Sequence, residues 1–299
     1  MAPTRTIFQL DHQPTWYENI AVRANGRILA TRIDVPELME IDPTTGEGRS
    51  ILTIPGSKSL MGINELEPDV WAVGAGDYIL GPGTVPGSYS LWIADLNGPK
   101  PVVSLVTKIP EIGLLNGTET WSKDVVLAAD STNGRIYRIN VRDGSYSVVL
   151  DAKELDGDES QPIGINGLKL YQGWLYFTNT AQKATYRVPV GDDASTTGPV
   201  EIVATGPFIP DDLCIGADGT VYVTDPLRHK VARIPPGGSD LVVIAGEPDA
   251  MEIAGPTACA LGRRDEDGHV LYVSTGGALA APVDGKTEPA KIVAIDLSG

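Results

Sequence analysis

Cysteine and histidine are nearly absent from this 299-residue chain, which has Cys214 and Cys259, and His12, His229 and His269. So few exclude a disulfide framework and a Cys/His zinc centre. Both cysteines sit inside apolar, strand-like runs, where buried free thiols are expected, although sequence alone leaves a single bridge open. Basic residues are also scarce: 23 Lys and Arg stand against 39 Asp and Glu, a formal net charge of −16. Phosphates would be repelled over most of such a surface, which excludes nucleic acid and anionic membranes as partners. No apolar run approaches the ~18 residues of a membrane helix, so no membrane insertion is expected. Met1–Arg5 lacks a positive stretch leading into an apolar run, so no signal peptide is expected here. A cytoplasmic chain and a secreted one with its signal already removed both fit, and oligomeric state is left open. There is no nucleophile elbow and no phosphate-binding glycine loop.

What the chain does have is a repeat. Its 34 Gly and 23 Pro are spread between apolar runs, as turn residues would be. One phrase recurs: a polar residue opens a short apolar run, a turn follows, and a second apolar run returns. The openings are Glu18, Asn64, Asn116, Asn166, Asp211 and Thr257, at intervals of 46, 52, 50, 45 and 46. The returning runs include Val70–Val73, Val125–Ala129, Trp174–Phe177 and Val270–Val273. Third strands follow, such as Arg135–Asn140 and Lys291–Asp296, alternating apolar and polar residues as half-buried strands do. Five units then carry a fourth strand, such as Tyr146–Leu150. Repeats of ~40–50 residues with four short strands each are propeller blades. The sixth unit lacks its fourth strand while Arg5–Leu10 is spare at the other end. The reading is therefore all-β, a single six-bladed β-propeller over residues 1–299, closed by N-terminal strand pairing with the C-terminal blade.

First strands of propeller blades line the central channel, so the six opening residues should ring one mouth. Asn and Asp can merely satisfy turn backbone groups. Five of six being Asn, Asp or Glu favours a site, and hard oxygens with two or three carboxylates suit calcium.

These residues carry a resemblance. The chain resembles the senescence marker protein/gluconolactonase/paraoxonase superfamily of six-bladed propellers, whose hydrolases hold a catalytic divalent cation with a Glu, two Asn and an Asp. Glu18, Asn116 in Leu115-Asn116-Gly117, Asn166 in Ile165-Asn166-Gly167 and Asp211 in Pro210-Asp211-Asp212 match that set, with Asp212 where the family has Gly. The resemblance thus implies Glu18, Asn116, Asn166 and Asp211 as metal ligands. The phrases Trp16–Arg23, Gly62–Val70 and Leu114–Gly117 are similar to a narrower fungal branch serving secondary metabolism, which includes hetero-Diels–Alderases. Asn116-Gly117-Thr118 is also a glycosylation sequon, read as accidental because a glycan would not fit a channel.

Two connections are expected to be long, Gly74–Tyr89 and Ser274–Ala290. They bring Tyr78, Ile79, Leu80, Tyr89 and Leu279 to the mouth, which suits a bulky apolar substrate. His229 is expected on a rim loop, where it could act as acid or base, though a lone loop histidine is more often just solvated. With Trp16, Tyr17, Asn64, Tyr78, Tyr89 and Thr257 it makes up the expected substrate-binding set.

Three functions compete. A cyclase of a polyketide- or terpenoid-derived substrate would hold its partners in near-attack geometry, with Asn64, Asn116 and Asn166 hydrogen-bonding developing charge, and would need no cofactor. A calcium-dependent lactonase or esterase would polarise an ester carbonyl, with Asp211 or Asp212 activating water or attacking directly. A non-catalytic scaffold would not need polar residues around a narrow channel. The cyclase is the leading reading.

Overall fold

A computed structural model describes residues 1–299. It contains six four-stranded antiparallel sheets arranged as a six-bladed β-propeller, with one short 3₁₀ turn, Lys153–Leu155, as its only helix. No helix is long and apolar enough to cross a membrane.

Blade one is built from Tyr17–Val22, Ile28–Arg32, Glu37–Asp42 and Glu47–Thr53, in that order from channel to rim. Blades two to five repeat the order, opening on Ser59–Glu67, Leu115–Ser122, Ile165–Tyr171 and Leu213–Ile215. Blade six takes Pro256–Leu261, Val270–Thr275 and Lys291–Asp296 from the C-terminal end and Thr4–Gln9 from the N-terminal end. Thr4 pairs with Ile295 and Gln9 with Lys291, so the expected closure holds.

The core is divided into six apolar clusters, one between each pair of neighbouring blades. In blade three, Val126 and Ala128 pack toward blade two while Leu127 and Ala129 pack toward blade four. A strand sandwiched in this way is apolar on both faces, hence its unbroken run Val125–Ala129. The third strand of blade six departs from the expected half-buried pattern, with Lys291–Ala294 and Ile295 all buried, whereas Arg135–Asn140 keeps it, with Arg135, Arg138 and Asn140 partly exposed. Only the outermost strands, such as Val102–Lys108, meet solvent along one face.

One irregularity recurs around the channel. In five blades two residues of the first strand oppose one residue of the second, a β-bulge: Glu18-Asn19, Met61-Gly62, Asn116-Gly117, Asn166-Gly167 and Thr257-Ala258. Asp211-Asp212 occupies the equivalent place before Leu213, held by backbone bonds on either side of Thr224. Four bulges are secured by a hydroxyl on the opposing strand. Thr31, Thr178, Thr224 and Ser274 accept the N–H of Asn19, Gly167, Asp212 and Ala258 at 2.9–3.2 Å. The second bulge position is also crowded. A methyl group on Gly117 would lie 2.5 Å from the Asn166 carbonyl oxygen, and one on Gly167 would lie 2.9 Å from the Asp212 Cα.

Candidate functional site

Each bulge re-aims its first residue, and five of these six residues meet in one cavity of about 190 Å³: Glu18, Met61, Asn116, Asn166 and Asp211. Residues just upstream on the same inner segments supply the wall: Trp16, Leu114, Ile163 and Ile209. Where the spacing is two, as in Trp16-Tyr17-Glu18, Leu114-Leu115-Asn116 and Ile209-Pro210-Asp211, extended backbone points both residues to the same side. The cavity is consequently polar at its floor and apolar above. Tyr78, Ile33, Pro226, Leu227 and Ala280 close its upper part, with Gln161 and Thr180 as further polar groups.

The floor is a short hydrogen-bonded arc. Trp16 Nε1 donates to Glu18 Oε2 at 2.8 Å, and Asn166 Nδ2 donates to Asp211 Oδ1 at 2.5 Å and to Thr180 Oγ1 at 3.2 Å. No Lys, Arg or His lines the cavity, so nothing cationic faces the two carboxyls. Burial pushes the Glu18 carboxyl up to about 7, against the Trp16 hydrogen bond and with help from the charge of Asp212. Burial also raises Asp211 well above the usual carboxylate range, aided by Glu18 and Asp212 and opposed by Asn166. Both shifts favour the neutral carboxyl, which donates a hydrogen bond. The Tyr78 phenol is raised as well, first by burial and then by the charges of Glu18 and Asp211.

As a cation site the floor offers two carboxylates and two carboxamides, a donor set of the hard-oxygen kind calcium takes. No cluster of three or more His, Cys, Asp or Glu side chains is spaced to hold a metal ion. Two carboxyls without a counter-charge, Glu18 buried and Asp211 half-buried, nonetheless fit a divalent cation chemically.

Several expected site residues lie elsewhere. Asn64 is not the blade-two opening: Met61 holds that place, and Asn64, three residues further along the strand, bonds Glu119 and Thr118 deeper in the channel. Asp212 is the second residue of its bulge and is turned out of the cavity. Its Oδ2 accepts from Asn19 Nδ2 at 2.8 Å, and its charge helps raise the Lys169 ammonium, together with Glu119 and against burial. Tyr17 is fully buried in the cluster between blades six and one. Tyr89 is equally buried beneath Gly76, with its hydroxyl 2.8 Å from Thr84 Oγ1. His229 is buried too, in a left-handed conformation; burial lowers its imidazole, and Nδ1 accepts the Gly255 N–H at 2.9 Å. Thr257 joins blade six to blade one by donating to the Tyr17 carbonyl at 2.7 Å. Trp16 and Tyr78 do line the cavity. The upstream residues Leu114, Ile163 and Ile209 were not singled out from sequence, although their places just before three openings repeat that of Trp16.

With this geometry in view, comparison with known proteins is informative. No family model matches the chain. A curated protein of Phoma sp named "Putative hetero-Diels-Alderase" is 28% identical, covering 94% of this chain and 88% of its own. One from Sarocladium schorii with the same enzyme name is 27% identical, covering 87% and 75%. The chain is similar to hetero-Diels–Alderases. That is the branch the sequence resembles, and its polar bulge residues now share one cavity. Among solved structures, a luciferin-regenerating enzyme superposes with a TM-score of 0.73 at 13% identity, covering 100% of this chain and 96% of its own. Regucalcin of Agrobacterium tumefaciens, a calcium-binding protein, gives 0.66 at 17% identity, covering 100% and 95%. Likeness at these identities shows the propeller fold.

Proposed function

We propose that the cavity catalyses a cyclisation of hetero-Diels–Alder type on an apolar substrate carrying a carbonyl oxygen. The observation that carries this reading is the pairing of an apolar wall with two carboxyls that face no cation, Glu18 buried and Asp211 half-buried. A carboxyl whose neutral form is favoured in this way presents a proton to a substrate oxygen, much as a buried neutral acid serves in an oxyanion hole. A hydrogen bond from Glu18 or Asp211 to the oxygen of a heterodiene withdraws electron density from it and makes it a better partner for an alkene. Asn116 offers a second polar contact. The larger contribution comes from orientation: walls such as Trp16, Ile33 and Leu227 hold the π systems face to face, and pre-ordered reactants react faster by removing entropy from the barrier. The names of the two curated relatives support the same reaction class.

A calcium-dependent lactonase is the second reading, favoured by the four hard-oxygen donors Glu18, Asn116, Asn166 and Asp211. Calcium bound there would polarise an ester carbonyl, while the remaining walls would orient the ring.

The test incubates the protein with a quinone-methide/alkene pair and, separately, with a panel of lactones, each with and without chelator. A cycloadduct formed faster than background, enriched in one stereoisomer and insensitive to chelator, is the expected result. Hydrolysis of lactones alone, stopped by chelator, would overturn it in favour of the second reading.

A further inference from the structure

Beside the cavity, on the other side of Tyr78, runs an open groove of about 560 Å³ lined by His12, Pro14, Val35, Pro36, Ile79 and Leu80. Tyr78 lines both spaces. Its position is set by the hairpin that carries it, in which Tyr78 pairs with Thr84 and Ile79 with Gly83. The base of the hairpin is pinned on three sides. Tyr78 N–H donates to Ser59 Oγ at 2.9 Å, Asp77 N–H to Ser88 Oγ at 2.9 Å, and Thr84 Oγ1 to the Gly113 carbonyl at 2.6 Å. The hairpin backbone that carries the ring is thus held in place.

The polar groups of the groove are largely engaged already. Arg32 is paired with Asp34 and Glu37, and His12 Nδ1 lies 2.8 Å from Asp11. Lys58 stands exposed at the edge. What the groove offers a ligand is therefore the apolar surface of Val35, Pro36, Ile79 and Leu80. Ile79 is 37% exposed, a solvent-facing position for a large aliphatic residue that an apolar occupant would cover. Size points the same way. A cavity of about 190 Å³ falls below the roughly 300–1,000 Å³ of typical small-molecule sites, whereas cavity and groove together fall within that range.

We infer that the two spaces form one bipartite site. The cavity takes the oxygen-bearing end of the ligand, and the groove beyond Tyr78 takes an uncharged, apolar second half, so that Tyr78 determines which ligand shapes can bridge them. The inference rests on the proposed reading of the cavity as the ligand site.

The test compares two neutral aryl ketones, acetophenone and its extended form 4-acetylbiphenyl, by ligand-observed NMR titration. The wild-type chain should bind the biphenyl about ten-fold more tightly, the effect of burying one further apolar ring. Leu80→Asp and Val35→Asp each place a charge in the groove, and neither residue lines the cavity. Both should abolish most of that ten-fold preference while acetophenone binds as before. Tyr78→Ala should change the ratio of the two affinities rather than lower both alike. Ketones that bind with an undiminished biphenyl preference in the Leu80 and Val35 variants would overturn the bipartite site while sparing the cavity. Failure of both ketones to bind the wild type would overturn the reading of the cavity and the inference with it.

Discussion

Asn166 and Asp211 meet across the gap between blades four and five, the carboxamide Nδ2 donating to the carboxyl Oδ1 over 2.5 Å. The contact ties two blades together at the channel mouth and uses one oxygen of a carboxyl that has no cation beside it.

The buried carboxyls make stability fall as pH rises. Glu18 has its folded value raised to about 7 from 4.5, and Asp211 is raised as well, so the folded state binds more protons than the unfolded state in that window. Their destabilising effect is absent below the unfolded value, grows as pH rises through the folded value, and is constant above it. Glu18→Gln keeps an acceptor for Trp16 and removes the charge. Thermal denaturation should show it more stable than wild type at pH 8, by on the order of 1–3 kcal/mol, and nearly equal to it at pH 4. A variant less stable than wild type at pH 8 would mean the carboxylate is compensated.

Close approach at the bulges makes three glycines irreplaceable, Gly62, Gly117 and Gly167. In Gly117→Ala the new methyl would meet the Asn166 carbonyl oxygen at 2.5 Å and the Gly167 Cα at 2.9 Å, both backbone atoms of the next blade. A loss of about 3 kcal/mol or more is expected, read from chemical denaturation. Gly173, at φ 80° with nothing within 4 Å of its missing methyl, provides the contrast. Gly173→Ala should cost only about 1 kcal/mol, the strain of a left-handed alanine.

Removing residues 1–10 takes away the fourth strand of blade six, along with the buried side chains of Ile7 and Leu10. Lost burial alone is worth about 3–5 kcal/mol, and the bared edge of Lys291–Asp296 adds a template for aggregation. The truncated chain should melt many degrees lower in calorimetry. An unchanged Tm would refute the closure.

The thiols of Cys214 and Cys259 lie 3.2 Å apart between blades five and six, both buried, and burial pushes the Cys259 thiol well up. Neither should react with an aromatic disulfide reagent in the native protein within minutes, and both should react at once in denaturant. Fast labelling of the native state would show that this interface opens.

The blades were legible in the sequence because their apolar runs and turns recur, and the ring closure followed from a missing strand. The cavity was legible where a bulge pairs a polar residue with glycine, as at Asn116-Gly117 and Asn166-Gly167. It was misread at blade two, where Met61-Gly62 supplies the bulge but Asn64 looks more like its counterparts. At blade two the glycine marks the bulge where polarity misleads, whereas Glu18 and Asp211 are found by polarity with no glycine after them. Tyr17 and His229 were misplaced for a related reason. A strand residue beside a site residue points to the opposite face, which puts Tyr17 in the core, and a buried imidazole can serve as a plain backbone acceptor, as His229 does for Gly255.

The pairing of Thr4–Gln9 with Lys291–Asp296 also constrains the order in which the chain can be completed. On a ribosome the first strand emerges before any of its partners exists, and it must wait while almost the whole chain is made. Blades one to five can form as antiparallel neighbours in turn, but the last sheet cannot be finished until Lys291–Asp296 has been made. During that interval both ends of the nascent ring carry unpaired strand edges. The ring therefore closes late, when Thr4–Gln9 docks onto Lys291–Asp296.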